Sequence, residues 1–202
     1  MKRTLCIVLF AAATAVAFAP TRARACPNVT YLQLDEETKK VKAADDALAN
    51  GDFALAAARA KRVRFLGVDP PDFVGRPERD VVQEKHRLLR KRAMHIVALA
   101  TVRNQSTVEE REVAVRVLIG QLKIDPNPTF EADAAEALAR MPDKEPLALM
   151  MLRALAARDL IGSAYAYAAL ARLEAARGNE TEAASADERC KRMAKRPAIC
   201  AR

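Results

Sequence analysis

An all-α chain of about eight helices, arranged as antiparallel pairs, is predicted by three features of the sequence. Of its 202 residues 43 are Ala, the strongest helix former, whose small side chain also lets helices pack closely. Six Gly are too few for the tight turns of an all-β chain. Apolar residues make up 51% of the sequence and recur at helical spacing, unlike the diluted pattern of a disordered chain. The length suits one domain or a short repeat array with a continuous core.

The first 25 residues read as a leader. Met1-Lys2-Arg3 is a short basic start, Leu5 to Ala19 is apolar, and Ala23-Arg24-Ala25 has small residues at both positions of a cleavage site. Fifteen apolar residues fall short of the roughly 20 that span a bilayer. The expectation is a secretory signal peptide over residues 1–25, with export to the periplasm or outside the cell. A Cys directly after the cleavage point, Cys26, resembles the lipidated residue of bacterial lipoproteins. That family's aliphatic residue three positions earlier is absent, since Ala23 stands there. Lipid anchoring is the weaker alternative.

From residue 26 to 196 the helix signals come in pairs. Asp35 to Asn50 carries Val41, Ala44 and Leu48 on one face, and Asn50-Gly51 closes it. Asp52 opens a second segment striped by Phe53, Ala56, Ala57, Ala60 and Val63. Gly67 to Pro77 has three Pro and two Gly and cannot continue a helix. Arg79 to Arg103 reads as one long helix with Val82, Leu89, Ala93, Ile96 and Ala100 on a face. Ser106 or Thr107, with Glu109 or Glu110 three residues on, predicts a capping box for the next helix. Asp125-Pro126-Asn127-Pro128 ends that helix. Four more are expected near 129–141, 145–157, 160–177 and 180–195, punctuated by Pro142, Pro146, Gly162 and Gly178. Acids open the last helix and bases close it, as the helix dipole favours. Residues 197–202 read as a short basic tail.

Charge gives little support for nucleic acid. The leader holds Lys2, Arg3, Arg22 and Arg24 and no acid, so its removal lowers the net charge from +8 to +4. Six further bases lie in the last fourteen residues, and residues 26–188 carry 24 bases against 26 acids. The basic character belongs to the two ends, and no nucleic-acid surface is expected.

Three cysteines follow the leader: Cys26, Cys190 and Cys200. An exported chain meets oxidising conditions. Cys190 falls late in the last helix and Cys200 lies ten residues on, beyond Pro197, within reach of a returning tail. A Cys190–Cys200 bridge is therefore favoured. Pairing of Cys26 with either is the alternative, and three free thiols the third option.

Two stretches 127 residues apart are similar to each other. Ala47-Leu48-Ala49-Asn50-Gly51-Asp52-Phe53 is followed by Ala56 and Ala57. Glu174-Ala175-Ala176-Arg177-Gly178-Asn179-Glu180 is followed by Ala183 and Ala184. Both resemble the centre of a tetratricopeptide repeat, with Tyr167 and Leu170 where that repeat has its first-helix aromatic and Leu. Leu122-Lys123-Ile124-Asp125-Pro126 is similar to its closing segment. The resemblance implies a short α-solenoid in which helix pairs stack because no pair buries its apolar stripe alone. It also implies a binding groove on the first helices, where Tyr165, Ala168, Arg172 and Ala176 fall. The family's carboxylate-clamp Lys and Asn are not matched.

Chemistry is thinly represented. His86 and His95 lie nine residues apart on one predicted helix, hence on opposite faces, and solvent or partial burial is expected for both. No phosphate loop, nucleophile elbow or Cys-x-x-Cys occurs, and carboxylates are expected mainly on helix surfaces. Neither metal nor cofactor is expected, and no catalysis. Lys85, Arg87, Arg90, Lys91 and Arg92 form the densest internal basic run, without interleaved aromatics. The function expected is a non-catalytic scaffold for a peptide or protein partner in the cell envelope, with Tyr165 and Arg172 at the groove. The alternative is an envelope protein held on an anionic membrane surface by Arg90, Lys91 and Arg92.

Overall fold

The computed structural model describes residues 27–63, 77–104 and 106–201, with side chains from residue 34 in the first helix and residue 81 in the third. The leader, Cys26 and segment 67–76 lie outside the described residues. Among those described the structure is helical throughout: α1 (Pro27–Ala49), α2 (Phe53–Lys61), α3 (Pro77–Arg103), α4 (Val108–Ile124), α5 (Pro128–Leu138), α6 (Glu145–Ala157), α7 (Ala164–Ala175) and α8 (Glu180–Met193). Single 3-10 turns occur at Pro142–Lys144 and Pro197–Cys200.

Local chemistry sets most boundaries. Thr107 and Glu110 form the reciprocal capping box of α4, with the Glu110 amide donating to Thr107 Oγ1 at 3.2 Å and the Thr107 amide donating to Glu110 Oε2 at 3.0 Å. Asn127 caps α5 by accepting from the Phe130 amide, and Pro128 takes the first helical position, where no N–H is needed.

The two similar stretches have the same backbone. Gly51 has φ +79° and Gly178 φ +77°, the left-handed region that glycine enters without a Cβ penalty. In each turn the next residue donates back to a carbonyl five positions earlier, Asp52 to Ala47 and Asn179 to Glu174. The small residue five after each Gly, Ala56 and Ala183, is fully buried. Asp159 uses the same left-handed conformation after α6, and Leu160 donates to the Leu155 carbonyl. That termination leaves 160–163 as a link, so α7 begins at Ala164 rather than at residue 160. The first helix starts at Pro27 rather than Asp35, since Pro is tolerated in a first turn.

Neighbouring helices pack in sequence, and the odd-numbered ones also touch, α1 on α3, α3 on α5 and α5 on α7. One buried cluster joins α1 to α4 around Ile96, Val102 and Leu118, and reaches Ala134 and Ala137 of α5. The other spans α5 to α8 around Leu152, Leu155, Tyr167 and Leu170. Val115 and Ile119 of α4 pack on both. Ala fills the crossings, with Ala44, Ala56, Ala135, Ala148 and Ala166 fully buried. Each fully buried Leu or Ile contributes roughly 1.5–3 kcal/mol and each Ala much less, so the few large side chains dominate the core.

The C-terminal segment is part of the fold and does not trail as a tail. Pro197–Cys200 packs on α7 and α8, and Cys200 is buried and bonded to Cys190 across a Cα separation of 5.9 Å. The favoured pairing is the one present.

Candidate functional site

Tyr165, Ala168, Ala169 and Arg172 follow the i, i+3, i+4, i+7 pattern and so share one face of α7. That face opens on a cleft of about 420 Å³. Arg140 and Glu145 border it from the end of α5 and the start of α6, Arg111 reaches it from α4, and Ile199 with Cys200 closes one side. Of the predicted groove residues, Tyr165, Ala168 and Arg172 are thus brought together. Ala176 caps the far end of α7 and lies outside the cleft.

Tyr165 is held from behind. The Arg103 guanidinium lies 4.0 Å from its ring centroid, and Phe53 of α2 meets it edge-on at 5.8 Å. Arg103 in turn donates to both oxygens of Glu136, at 2.8 and 2.7 Å. Both side chains are buried. Burial opposes the Arg103 charge, but Glu136 and Asp133 outweigh it and hold the guanidinium above its ordinary value. Burial also raises the Tyr165 hydroxyl, which therefore stays protonated at neutral pH.

The other three arginines differ in their engagement. Arg172 donates to Glu145 Oε1 at 2.8 Å and to the carbonyl of Ala139, the residue that ends α5. It serves a helix C-terminus, where unpaired carbonyls and the dipole favour a cation. Arg111 donates through Nη1 to the Ser106 carbonyl at 3.0 Å, but its buried Nε finds no acceptor. No hydrogen bond or ion pair closes on Arg140 among the described residues. Arg140 is exposed overall; partial desolvation lowers its value most, Glu136 opposes this, and the charges of Arg103, Arg172 and Arg111 lower it further.

His95 corrects the expectation of solvent or partial burial: its side chain is 1% exposed. Nε2 lies 2.7 Å from Asp133 Oδ2, and Nδ1 lies 2.7 Å from Gln121 Oε1. Gln121 Nε2 donates to the Lys91 carbonyl at 3.0 Å, which fixes the amide so that its oxygen faces the ring. His86, on the same helix, is half-buried. Most described carboxylates lie on helix surfaces, but Asp133, Glu136 and Glu174 are buried.

The basic run is divided among neighbours. Lys91 donates to Asp125 Oδ2 at 2.6 Å and sits 4.8 Å from the Phe130 ring centroid. Arg92 grips both oxygens of Asp45 at 3.0 and 2.6 Å. Consecutive positions turn by about 100°, so Arg90, Lys91 and Arg92 point in three directions.

Sequence reasoning missed Arg103, Arg111, Arg140 and Glu136. Their partners lie tens of residues away, so no local motif marks them. One signal was present: Asp133 and Glu136 stand three apart inside the Ala-rich run 132–139, all of which is buried. Acids in such a run require partners. Among the described residues no group of His, Cys, Asp and Glu gathers as metal ligands, and no helix is long and apolar enough to cross a membrane. No family model matches the chain, and neither a curated protein nor a solved structure does.

Proposed function

We propose that the chain is an exported, non-catalytic helical-repeat scaffold that holds a peptide or protein segment against its odd-numbered helices. The observation that carries this reading is the contact of α1 with α3, α3 with α5 and α5 with α7, with an open cleft on the last of them. The matched turns at Gly51 and Gly178 support a tetratricopeptide-like repeat behind it. Export is supported by the Cys190–Cys200 bond, which persists under oxidising conditions. A non-catalytic role is supported by the ion pairs of Glu136 and Glu145, which engage the cleft's two acids. The membrane alternative has less behind it, because Lys91 and Arg92 are tied to Asp125 and Asp45.

Affinity capture from an envelope fraction tests the reading. Wild-type protein is expected to recover a partner that a Tyr165→Ala, Arg172→Glu variant of unchanged helical content does not. Equal recovery by both overturns the cleft assignment.

A further inference from the structure

The cleft holds more positive charge than the fold itself uses. Four guanidinium groups, those of Arg103, Arg111, Arg140 and Arg172, act on this region, against the carboxylates of Glu136 and Glu145. Arg103 occupies Glu136 and Arg172 occupies Glu145. Two cations are left over. Arg140 has no hydrogen-bonded or ion-paired partner among the described residues, and Arg111 buries an Nε–H that meets no acceptor. The Arg111 Nε–H is itself out of reach of solvent, so a ligand acceptor would meet the remaining N–H groups of that guanidinium together with those of Arg140, which is exposed. Tyr165 also lines the cleft, and its hydroxyl has no hydrogen-bond partner among the described residues.

We propose that Arg140 and Arg111 hold a side-chain carboxylate of the bound segment, so that the scaffold selects an acidic peptide. This rests on the peptide-binding reading above. A planar guanidinium pairs a carboxylate through two parallel hydrogen bonds, and such charge-assisted bonds are about twice as strong as neutral ones. Desolvation and the repulsion of neighbouring cations both work against the Arg140 charge, and an arriving anion offsets them. Ala168, Ala169, Pro142 and Ile199 provide apolar walls that suit the stem and backbone of a peptide. Glu145 at the rim disfavours a phosphate dianion relative to a single carboxylate.

The probe is acetyl-glutamate amide, added to the purified, oxidised full chain while the arginine Nε–H resonances are followed by NMR. The Arg140 and Arg111 signals are expected to shift saturably at millimolar concentration. The uncharged isostere acetyl-glutamine amide should leave them in place. Arg140→Gln should weaken the response at Arg111 at least tenfold, and Arg111→Gln should do the same at Arg140. The backbone spectrum of each variant reports whether the fold is intact. Absence of a saturable shift, an equal response to the glutamine compound, or tighter binding of inorganic phosphate each overturns the proposal. Those results would leave Tyr165-dependent capture of a partner untouched, so failure here is separable from failure of the scaffold reading.

Discussion

Arg103 of α3 and Glu136 of α5 face each other through two parallel hydrogen bonds of 2.8 and 2.7 Å, with both side chains out of solvent. His95 and Asp133 make the second polar link between the same two helices. The junction of the two buried clusters therefore depends on paired charges as well as on Ala contacts. Removing one member of a buried pair strands the other, which costs about 3–5 kcal/mol. Glu136→Gln should lower the urea midpoint by a corresponding amount. Arg103→Met with Glu136→Leu should recover part of the loss, because two apolar side chains of similar volume strand neither member of the pair, while Asp133 loses its longer contact with Arg103 and keeps His95. A double variant as unstable as the single one would show that the pair has another role.

Glu174 gives the fold an acid limit. Arg153 donates to both its oxygens at 2.6 Å and holds its carboxyl below the ordinary carboxylate range, against the effect of burial and with help from the Asn179 amide. Folded Glu174 thus keeps its charge at a pH where the unfolded chain has already bound a proton. Its stabilisation is complete above the unfolded value of about 4.3 and fades as pH falls through the lower, folded value. Glu174→Gln should be less stable than wild type at pH 7 and lose less stability on acidification. Parallel pH profiles for the two proteins would refute this.

The bond between Cys190 and Cys200 fastens both the end of α8 and one wall of the cleft. Its loss should cost about 2–3 kcal/mol. Helix pairs that contact mainly their neighbours open locally, so the cost should be regional. In Cys200→Ser, hydrogen exchange should quicken in α8 and the first turns of α7 while α3 and α4 keep their protection. Uniform acceleration across all helices would contradict a stacked arrangement.

Gly51 and Gly178 show how much of the fold was legible in the sequence. Their turns are specified within seven residues, and the similarity noticed in sequence is the same left-handed backbone in space. The same holds for the Thr107 cap and for Pro128. Gly178→Ala forces a Cβ into that conformation and should cost about 1–2 kcal/mol, read as a lowered thermal midpoint. Little or no change would mean the turn relaxes.

The cleft was half legible. Helical spacing placed Tyr165, Ala168 and Arg172 on one face, because that relationship is local. It left out Arg140, Arg111 and Glu136, and it placed His95 wrongly, because their surroundings come from other helices. His95 meets Asp133 across 38 residues and Arg103 meets Glu136 across 33. Nothing in the spacing of either pair distinguishes it from two solvated side chains. The disulfide was legible because Cys200, ten residues on from Cys190 and past Pro197, is within reach of a returning tail.

The central claim is that a protein segment lies in the cleft on α7. A photo-crosslinking amino acid placed at Ala168, inside the cleft, and separately at Ala184, exposed on α8, tests it in intact cells. The account predicts a discrete adduct from position 168 that disappears with Tyr165→Ala, and none from position 184. Adducts of equal yield from both positions, or none from position 168, would contradict it.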